Sequence, residues 1–387
     1  MRILHTSDWH LGRSFGSVSL SSEQERFCEM LIEMVDSEGL DLVVIAGDIY
    51  DRAIAPTESI ELFRETVRRI HATGTTIAAI SGNHDGADRV SPYDDLLDAS
   101  GVYIRGGYEG VGRVVRHEFA DGPLDLLLLP FLDPQGAPDQ LGQSSDNSPI
   151  ERRRRRTHHE VLEAAIDLAI PSLSSPRSLA VAHAFVTGGS TSESERQLEV
   201  GGTGEVSANL FNRFSYTALG HLHRPQNIAR ETVRYSGTPM PYSYSEDHQK
   251  SVTIIDLDVA GSSTVSTIDI NVSRGVRTVT GTIEELIEPS RHPEAHDHFV
   301  RAIVTNRETV LDAKAKLETI YPYVTEVLLQ PAGGTLTTID GPRISVNELQ
   351  PLDAVTEFWT DLEGGPPEGE LLDILTSAVD TALRSES

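Results

Sequence analysis

The chain has 387 residues, 38% of them hydrophobic, a single cysteine (Cys28) and a formal net charge of −27. That length allows one large domain with one or two small ones, and the apolar share is enough for a packed core. The lone cysteine excludes an internal disulfide and fits a reducing compartment; the acidic balance disfavours nonspecific nucleic-acid binding, although a local basic strip or a bound metal can dominate at a site.

The opening Met1-Arg2-Ile3-Leu4-His5 shows no charged-then-apolar leader. The most apolar stretch, Leu124 to Leu132, holds Asp125 and Pro130 and is too short to span a bilayer. These features predict a cytoplasmic protein without a membrane segment.

In chain order, Arg2 to Thr6 reads as a strand running into Ser7-Asp8-Trp9-His10. Glu23 to Glu38 carries an apolar helical stripe (Phe27, Met30, Leu31, Met34, Val35) stopped by Gly39. Leu42 to Ala46 is a continuous apolar run, hence a strand buried on both faces, ending in Gly47-Asp48-Ile49-Tyr50-Asp51. Pro56 to His71 is a second helix, with Ile60, Phe63, Val67 and Ile70 on one side and Gly74 beyond its end. Thr76 to Ile80 is a strand that enters Gly82-Asn83-His84-Asp85. Alternation of strand and helix marks an α/β unit.

Strands follow at Val102 to Ile104, Gly112 to Phe119 and Leu124 to Leu129, then a loop from Pro134 to Pro149. The block Arg152 to Arg156 opens a helix that runs to about Ala169; it reads either as a DNA contact or as a solvated helix start. Ser178 to Ala182 is a strand ending at His183, and Gly188 to Gly204 is a polar, mobile loop. Tyr216 to Leu219 leads into Gly220-His221-Leu222-His223, with further strands at Val233 to Tyr235 and Ser251 to Val259.

The pattern changes near Ser273. Strands at Val276 to Gly281, His298 to Thr305 and Val324 to Leu329, with helices at Ile283 to Ile287 and Val310 to Ile320, predict a small α+β domain over 273–341. It separates a large domain, 1–272, from a tail, 342–387. The tail has two helical patterns, about Pro351 to Leu362 and Glu368 to Leu383, broken by Gly364-Gly365-Pro366-Pro367.

Five strand ends thus carry Asp8 and His10, Asp48, Asn83 with His84 and Asp85, His183, and His221 with His223. In an open α/β sheet, ligands bind beyond the carboxyl ends of the strands, so these scattered pieces converge. Asp, Asn and neutral His without Cys suit divalent ions such as Mn²⁺, Fe²⁺ or Zn²⁺. There are too many ligands for one ion; two ions roughly 3.5–4 Å apart, sharing a carboxylate, account for them. Two such ions activate water and stabilise charge on entering and leaving oxygens, which phosphoester hydrolysis needs most. His84 is best placed as the acid or charge stabiliser near the leaving oxygen, with Asp85 fixing its tautomer.

Asp8-Trp9-His10, Gly47 to Asp51, Gly82 to Asp85, His183 and Gly220 to His223 resemble the five motifs of calcineurin-like metallophosphoesterases. That resemblance implies an α/β sandwich of two sheets flanked by helices. Thr6 to Arg13, Ser81 to Asp85, Ala218 to Pro225 and Ser236 to Ser243 resemble one branch more finely, the nuclease subunits that work with the SMC-like ATPase SbcC. The branch implies Asp8, His10 and His223 on one metal, Asn83, His183 and His221 on the other, Asp48 as the bridge and His84 as catalytic. It also implies Mn²⁺, and Asp51 as a residue behind the ligands. Its activity is ATP-dependent 3′-to-5′ digestion of duplex DNA and endonuclease cleavage of single strands and hairpins. It implies too a homodimer within a heterotetramer, a capping role for 273–341, and a tail that binds the base of the SbcC coiled coil. No Gly-x-x-x-x-Gly-Lys-Ser/Thr occurs, so ATP falls to the partner. The other reading is a phosphatase or phosphodiesterase on small molecules or phosphoproteins, which shares the motifs but leaves the last two segments without a purpose.

Overall fold

A computed structural model describes residues 1–141, 156–195, 204–306, 310–330, 337–338, 355–356, 367, 369, 371–372 and 374–376. The elements that build the site come early. Strand β1 (Arg2–Thr6) is followed by α1 (Ser21–Glu38), β2 (Leu42–Ala46), α2 (Thr57–Ala72), β3 (Thr76–Ile80) and β4 (Val102–Arg105). Then come β5 (Val114–Phe119), β6 (Gly122–Leu129), α3 (His158–Ala169), β7 (Ser178–His183) and β8 (Tyr216–Gly220). Strands β9 (Gln226–Ile228), β10 (Arg230–Tyr235), β11 (Lys250–Leu257) and β12 (Ser263–Ile270) complete this part.

Two six-stranded sheets result, in the orders β12-β11-β1-β2-β3-β4 and β9-β10-β8-β7-β6-β5. Strands β1 to β4 run parallel, as do β6, β7, β8 and β10; antiparallel strands lie outside them. Period-two alternation sorts the side chains into layers. Leu42, Val44 and Ala46 of β2 meet Leu126, Leu128, Leu179 and Val181 between the sheets. Val43 and Ile45 point outward to Phe27, Leu31, Phe63 and Ile70 of α1 and α2. Leu127, Leu129, Ala180 and Ala182 turn to α3 on the far side. The layers are therefore helix, sheet, sheet, helix, the calcineurin-like sandwich expected from the motifs.

Local chemistry ends the helices where they should end. Gly39 takes the left-handed conformation (φ 61°) at the C-cap of α1, which costs glycine least. Thr157 and Glu160 form a reciprocal capping box at the start of α3. Arg156 lies just outside that helix and donates to the carbonyls of Ala137, Pro138 and Leu141; 152–155 lie outside the described residues. At Arg156, then, the arginine block is spent on a loop rather than on solvent.

Several expectations need correction. Ile60 is exposed; Ser59, Phe63, Thr66 and Ile70 form the buried face of α2. Strand β12 was missed because its alternating Ser and Thr at a sheet edge give little apolar signal. Within the loop expected over 188–204, residues 188–195 are joined by hydrogen bonds to Val186, Gln226, Ser245 and His223, and 196–203 lie outside the described residues.

After β12 come β13 (Val276–Gly281), α4 (Ile283–Leu286), β14 (Phe299–Val304), α5 (Ala313–Glu318), β15 (Val324–Leu329) and β16 (Thr337–Thr338). The four strands form their own sheet over a separate apolar cluster that includes Val279, Leu286, Val300, Ala302, Leu317 and Val327. Helix α5 is shorter than the helix expected over Val310 to Ile320. Phe299 stacks on Phe15 (4.6 Å between ring centroids), and Arg274 pairs with Glu23 at 2.7 Å, fastening this sheet to the first part. The tail patterns lie largely outside the described residues; 355–356, 371–372 and 374–376 are helical. Among the described residues, no helix is long and apolar enough to cross a membrane.

Candidate metal centre

The carboxyl ends of β1, β2 and β3 in one sheet, and of β7 and β8 in the other, meet at one edge of the sandwich. Glycines permit the approach. A Cβ at Gly220 would stand 1.9 Å from the Ala46 carbonyl oxygen, and one at Gly82 would stand 2.2 Å from Asp48 Oδ1. Asp8 (φ 54°), His10 (φ 44°), Asp48 (φ 48°) and His221 (φ 111°) all have positive φ without being glycine. Such strain concentrates where side-chain placement outweighs backbone comfort.

Ligand-type atoms converge in overlapping groups: Asp8, His10 and His223; His10, Asp48 and His84; and Asp8, Asp48 and His183. Asp48 Oδ2 is 3.7 Å from His10 Nε2 and 3.4 Å from His183 Nε2, so it stands between two clusters. Asn83 Oδ1 is 3.0 Å from His183 Nε2 and 3.1 Å from His221 Nδ1. All seven expected metal ligands therefore meet here. His84 also falls within a ligand group, so proximity by itself does not separate it from the ligands.

The donor set fits divalent ions. His10 is wholly buried, yet neither ring nitrogen makes a hydrogen bond. Carboxylate oxygens of Asp48 and Asp51 face its two nitrogens at 3.7 and 3.6 Å. Two ligand bonds of about 2.1 Å to one ion set their donor atoms roughly 3–4 Å apart. Burial lowers the affinity of His10, His221 and His223 for a proton, leaving neutral imidazoles, the form that binds metal. His183 differs: burial works against its charge, but Asp48 outweighs burial and pushes it up to about 9. Burial pushes Asp8 up to about 8, with the Asp48 charge acting the same way. Crowded carboxylates of this kind are what a bound cation holds ionised.

The surroundings orient the ligands. His183 Nδ1 donates to the Ala46 carbonyl at 2.9 Å, so Nε2, which faces Asp48, is the nitrogen that would give up its proton to bind a metal. The His221 amide donates to Asp8 at 3.0 Å. His84 Nδ1 donates to the Asp51 carbonyl at 2.9 Å. This corrects the role expected for Asp85, whose carboxylate instead accepts the backbone N–H groups of Ile49, Tyr50 and Gly82 at 2.8–3.1 Å. Asp85 braces the loops of β2 and β3 against each other. Asp51 pairs with Arg13 at 3.1 Å behind His10. A cleft of about 450 Å³, lined by Gly12, Arg13, Ser14, Asp51, Arg52 and His84, opens the centre to solvent.

Sequence reading missed Ser194, Glu195, Glu246 and Lys250, which surround His223. Ser194, Glu195 and Glu246 belong to stretches without periodic pattern, Glu246 lying just past the Ser236-to-Ser243 motif, while Lys250 opens β11.

A family model described as calcineurin-like phosphoesterase matches residues 1–225. The chain belongs to that family. It is a metal-dependent hydrolase of the calcineurin-like type, with a cluster of ligands consistent with a dimetal centre. It is 28% identical to the SbcD subunit of the nuclease SbcCD from Staphylococcus saprophyticus over 367 residues, 94% of each chain. It is also 28% identical to the SbcD subunit of the same nuclease from Staphylococcus epidermidis over 328 residues, 84% of each. Among solved structures, a dimetal phosphatase from Danio rerio aligns with a TM-score of 0.37 and 12% identity, covering 70% of this chain and 99% of that one.

Proposed function

We propose that the protein is a two-metal phosphodiesterase that cleaves DNA. In this reading it works with an SbcC ATPase as an ATP-dependent 3′-to-5′ duplex exonuclease and a single-strand and hairpin endonuclease, in DNA repair, recombination and replication. The observation that carries the reading is similarity over 94% of both chains to a protein named as an SbcCD nuclease subunit. The ligand cluster beneath an open cleft supports the chemistry.

Asp8, His10 and His223 hold one ion; Asn83, His183 and His221 hold the other; Asp48 is shared. When bound, two Mn²⁺ ions lower the pKa of water and offset charge on the phosphoryl oxygens. His84 lines the cleft with Nδ1 held by the Asp51 carbonyl, so its Nε2 is the nitrogen that carries a proton to the leaving oxygen. Residues 273–341 act as a capping domain over the DNA path, and 342–387 bind the partner. The working assembly pairs a homodimer of this chain with SbcC, in the cytoplasm and on the nucleoid.

The test is digestion of labelled duplex and hairpin DNA with Mn²⁺, with and without SbcC and ATP, beside a chromogenic phosphomonoester. Turnover of the monoester with no cleavage of either DNA would replace this reading with that of a small-molecule or phosphoprotein phosphatase.

A further inference from the structure

His223 is gripped from behind by groups outside the family motifs. Its backbone N–H donates to Glu195 Oε1 at 2.6 Å. Its ring Nδ1 is 2.7 Å from Ser194 Oγ and 3.3 Å from Glu246 Oε1. Ser194 Oγ in turn lies 2.5 Å from Glu246 Oε1. Glu246 is buried, and its other oxygen accepts from Lys250 Nζ at 2.6 Å and from Thr238 Oγ1 at 2.9 Å.

Donor counting gives this chain of contacts a direction. The buried ammonium of Lys250 keeps Glu246 ionised, so Glu246 can only accept. The Ser194 hydroxyl therefore donates its single proton to Glu246. Its lone pairs are then free to accept from His223, which requires the proton on Nδ1. Nε2 is left unprotonated, and the ring lies within the group formed with Asp8 and His10.

We propose that Ser194, Glu246 and Lys250 are positioning residues that set the tautomer and orientation of His223 for metal binding. The proposal rests on the reading of His223 as a ligand. It also accounts for residues 192–195, a segment that carries Ser194 and Glu195 onto His223 while Glu193 reaches Arg301 of β14 at 3.4 Å.

The test is titration of the full-length chain with Mn²⁺ by calorimetry, with metal counted per chain by mass spectrometry. Ser194→Ala and Glu246→Gln are compared with His223→Ala. A partner behind a metal-bound histidine is worth about 10–100-fold in affinity. Glu246→Gln is expected to weaken one of the two sites by at least about tenfold, and Ser194→Ala to weaken the same site by less. Imidazole ¹⁵N shifts of the metal-free chain, with His223 assigned by its loss in His223→Ala, should report an Nδ1–H tautomer that persists in Ser194→Ala, where Glu246 Oε1 still faces Nδ1, and becomes mixed in Glu246→Gln. Ser194→Ala removes one hydroxyl and keeps the Glu246–Lys250 pair, so it decides the matter if Glu246→Gln does not fold. An Nδ1-unprotonated His223 in the wild-type chain, or wild-type affinity at both sites in Ser194→Ala, would overturn the proposal. If His223→Ala itself kept both sites at wild-type affinity, the ligand reading would fall instead, and the proposal with it.

Discussion

The Nδ1 nitrogen of His84 donates to the main-chain carbonyl of Asp51 across 2.9 Å, so the loop after β2 fixes the ring that the loop after β3 supplies. A carbonyl oxygen can only accept, which leaves Nε2 as the nitrogen that exchanges protons at the cleft. His84→Ala should therefore lower DNA cleavage by about 10²–10⁴-fold, the usual worth of a general acid. Both metals should remain, as counted by mass spectrometry. A variant that lost a metal would make His84 a ligand, which its place beside His10 and Asp48 allows on distance alone.

Asp48 stands between the two clusters, with one carboxylate oxygen facing both His10 and His183. A shared ligand couples the two ions. Asp48→Asn should weaken both Mn²⁺ sites by at least about tenfold in calorimetric titration. Its backbone should hold, because an amide oxygen can still accept the His84 N–H that Asp48 Oδ1 accepts at 2.8 Å. Loss at one site, with the other unchanged, would exclude a bridging role.

The strand ends were legible in the sequence because each combines two strong signals. An apolar run such as Leu42 to Ala46 is buried throughout and stops abruptly at glycine and a ligand-type residue. What lay behind the ligands was not legible. The partner of His84 is a backbone carbonyl, and every residue type presents one. Glu246 reaches His223 across 23 positions with no repeat or spacing to mark it. Left-handed φ at Asp8, His10 and Asp48 was hidden too, because such conformations are ordinarily flagged by glycine. Asp85 was misread for a related reason: adjacency in sequence suggested a partner for His84, while the turn directs its carboxylate at three N–H groups.

Away from the site, Asp121 accepts from Arg177 Nη1 and Nη2 at 2.9 and 2.6 Å, and Arg177 is buried. The guanidinium holds the Asp121 carboxyl well below the usual carboxylate range. A depressed carboxylate contributes stability that is complete above its unfolded pKa, near 4, and is lost as pH falls toward the folded value. Asp121→Asn should lower the unfolding free energy at pH 7 by about 0.5–1.5 kcal/mol, the worth of such hydrogen bonds discounted for solvent screening because Asp121 is exposed. Urea unfolding of both proteins from pH 7 to pH 3 should show the gap narrowing below about pH 4. A gap that stays constant to pH 3 would mean that the pairing does not set this carboxyl.

The tail separates a partner-dependent nuclease from a free-standing hydrolase. In the sequence, Leu352, Val355, Phe358, Trp359 and Leu362 fall near one face of the first helical pattern, and Leu371, Leu372, Leu375, Val379 and Leu383 near one face of the second. Among the described residues, no apolar core draws on a position beyond Leu329, and Leu372 and Ile374 are exposed. Among the described residues, the cores of the sandwich and of the small sheet are thus built from positions up to Leu329. Short helices are marginal alone, so apolar faces of this length need a surface to bury against. Phe358 and Trp359 are large anchors of the kind worth about 2 kcal/mol or more when centrally buried in an interface. Deleting 342–387 should leave a folded chain that binds Mn²⁺ and retains single-strand cleavage. It should abolish co-purification with SbcC and ATP-stimulated digestion of duplex DNA. A truncated chain that captures SbcC at wild-type yield would place the partner surface elsewhere, and one that unfolds would mean that the tail packs back on its own domain.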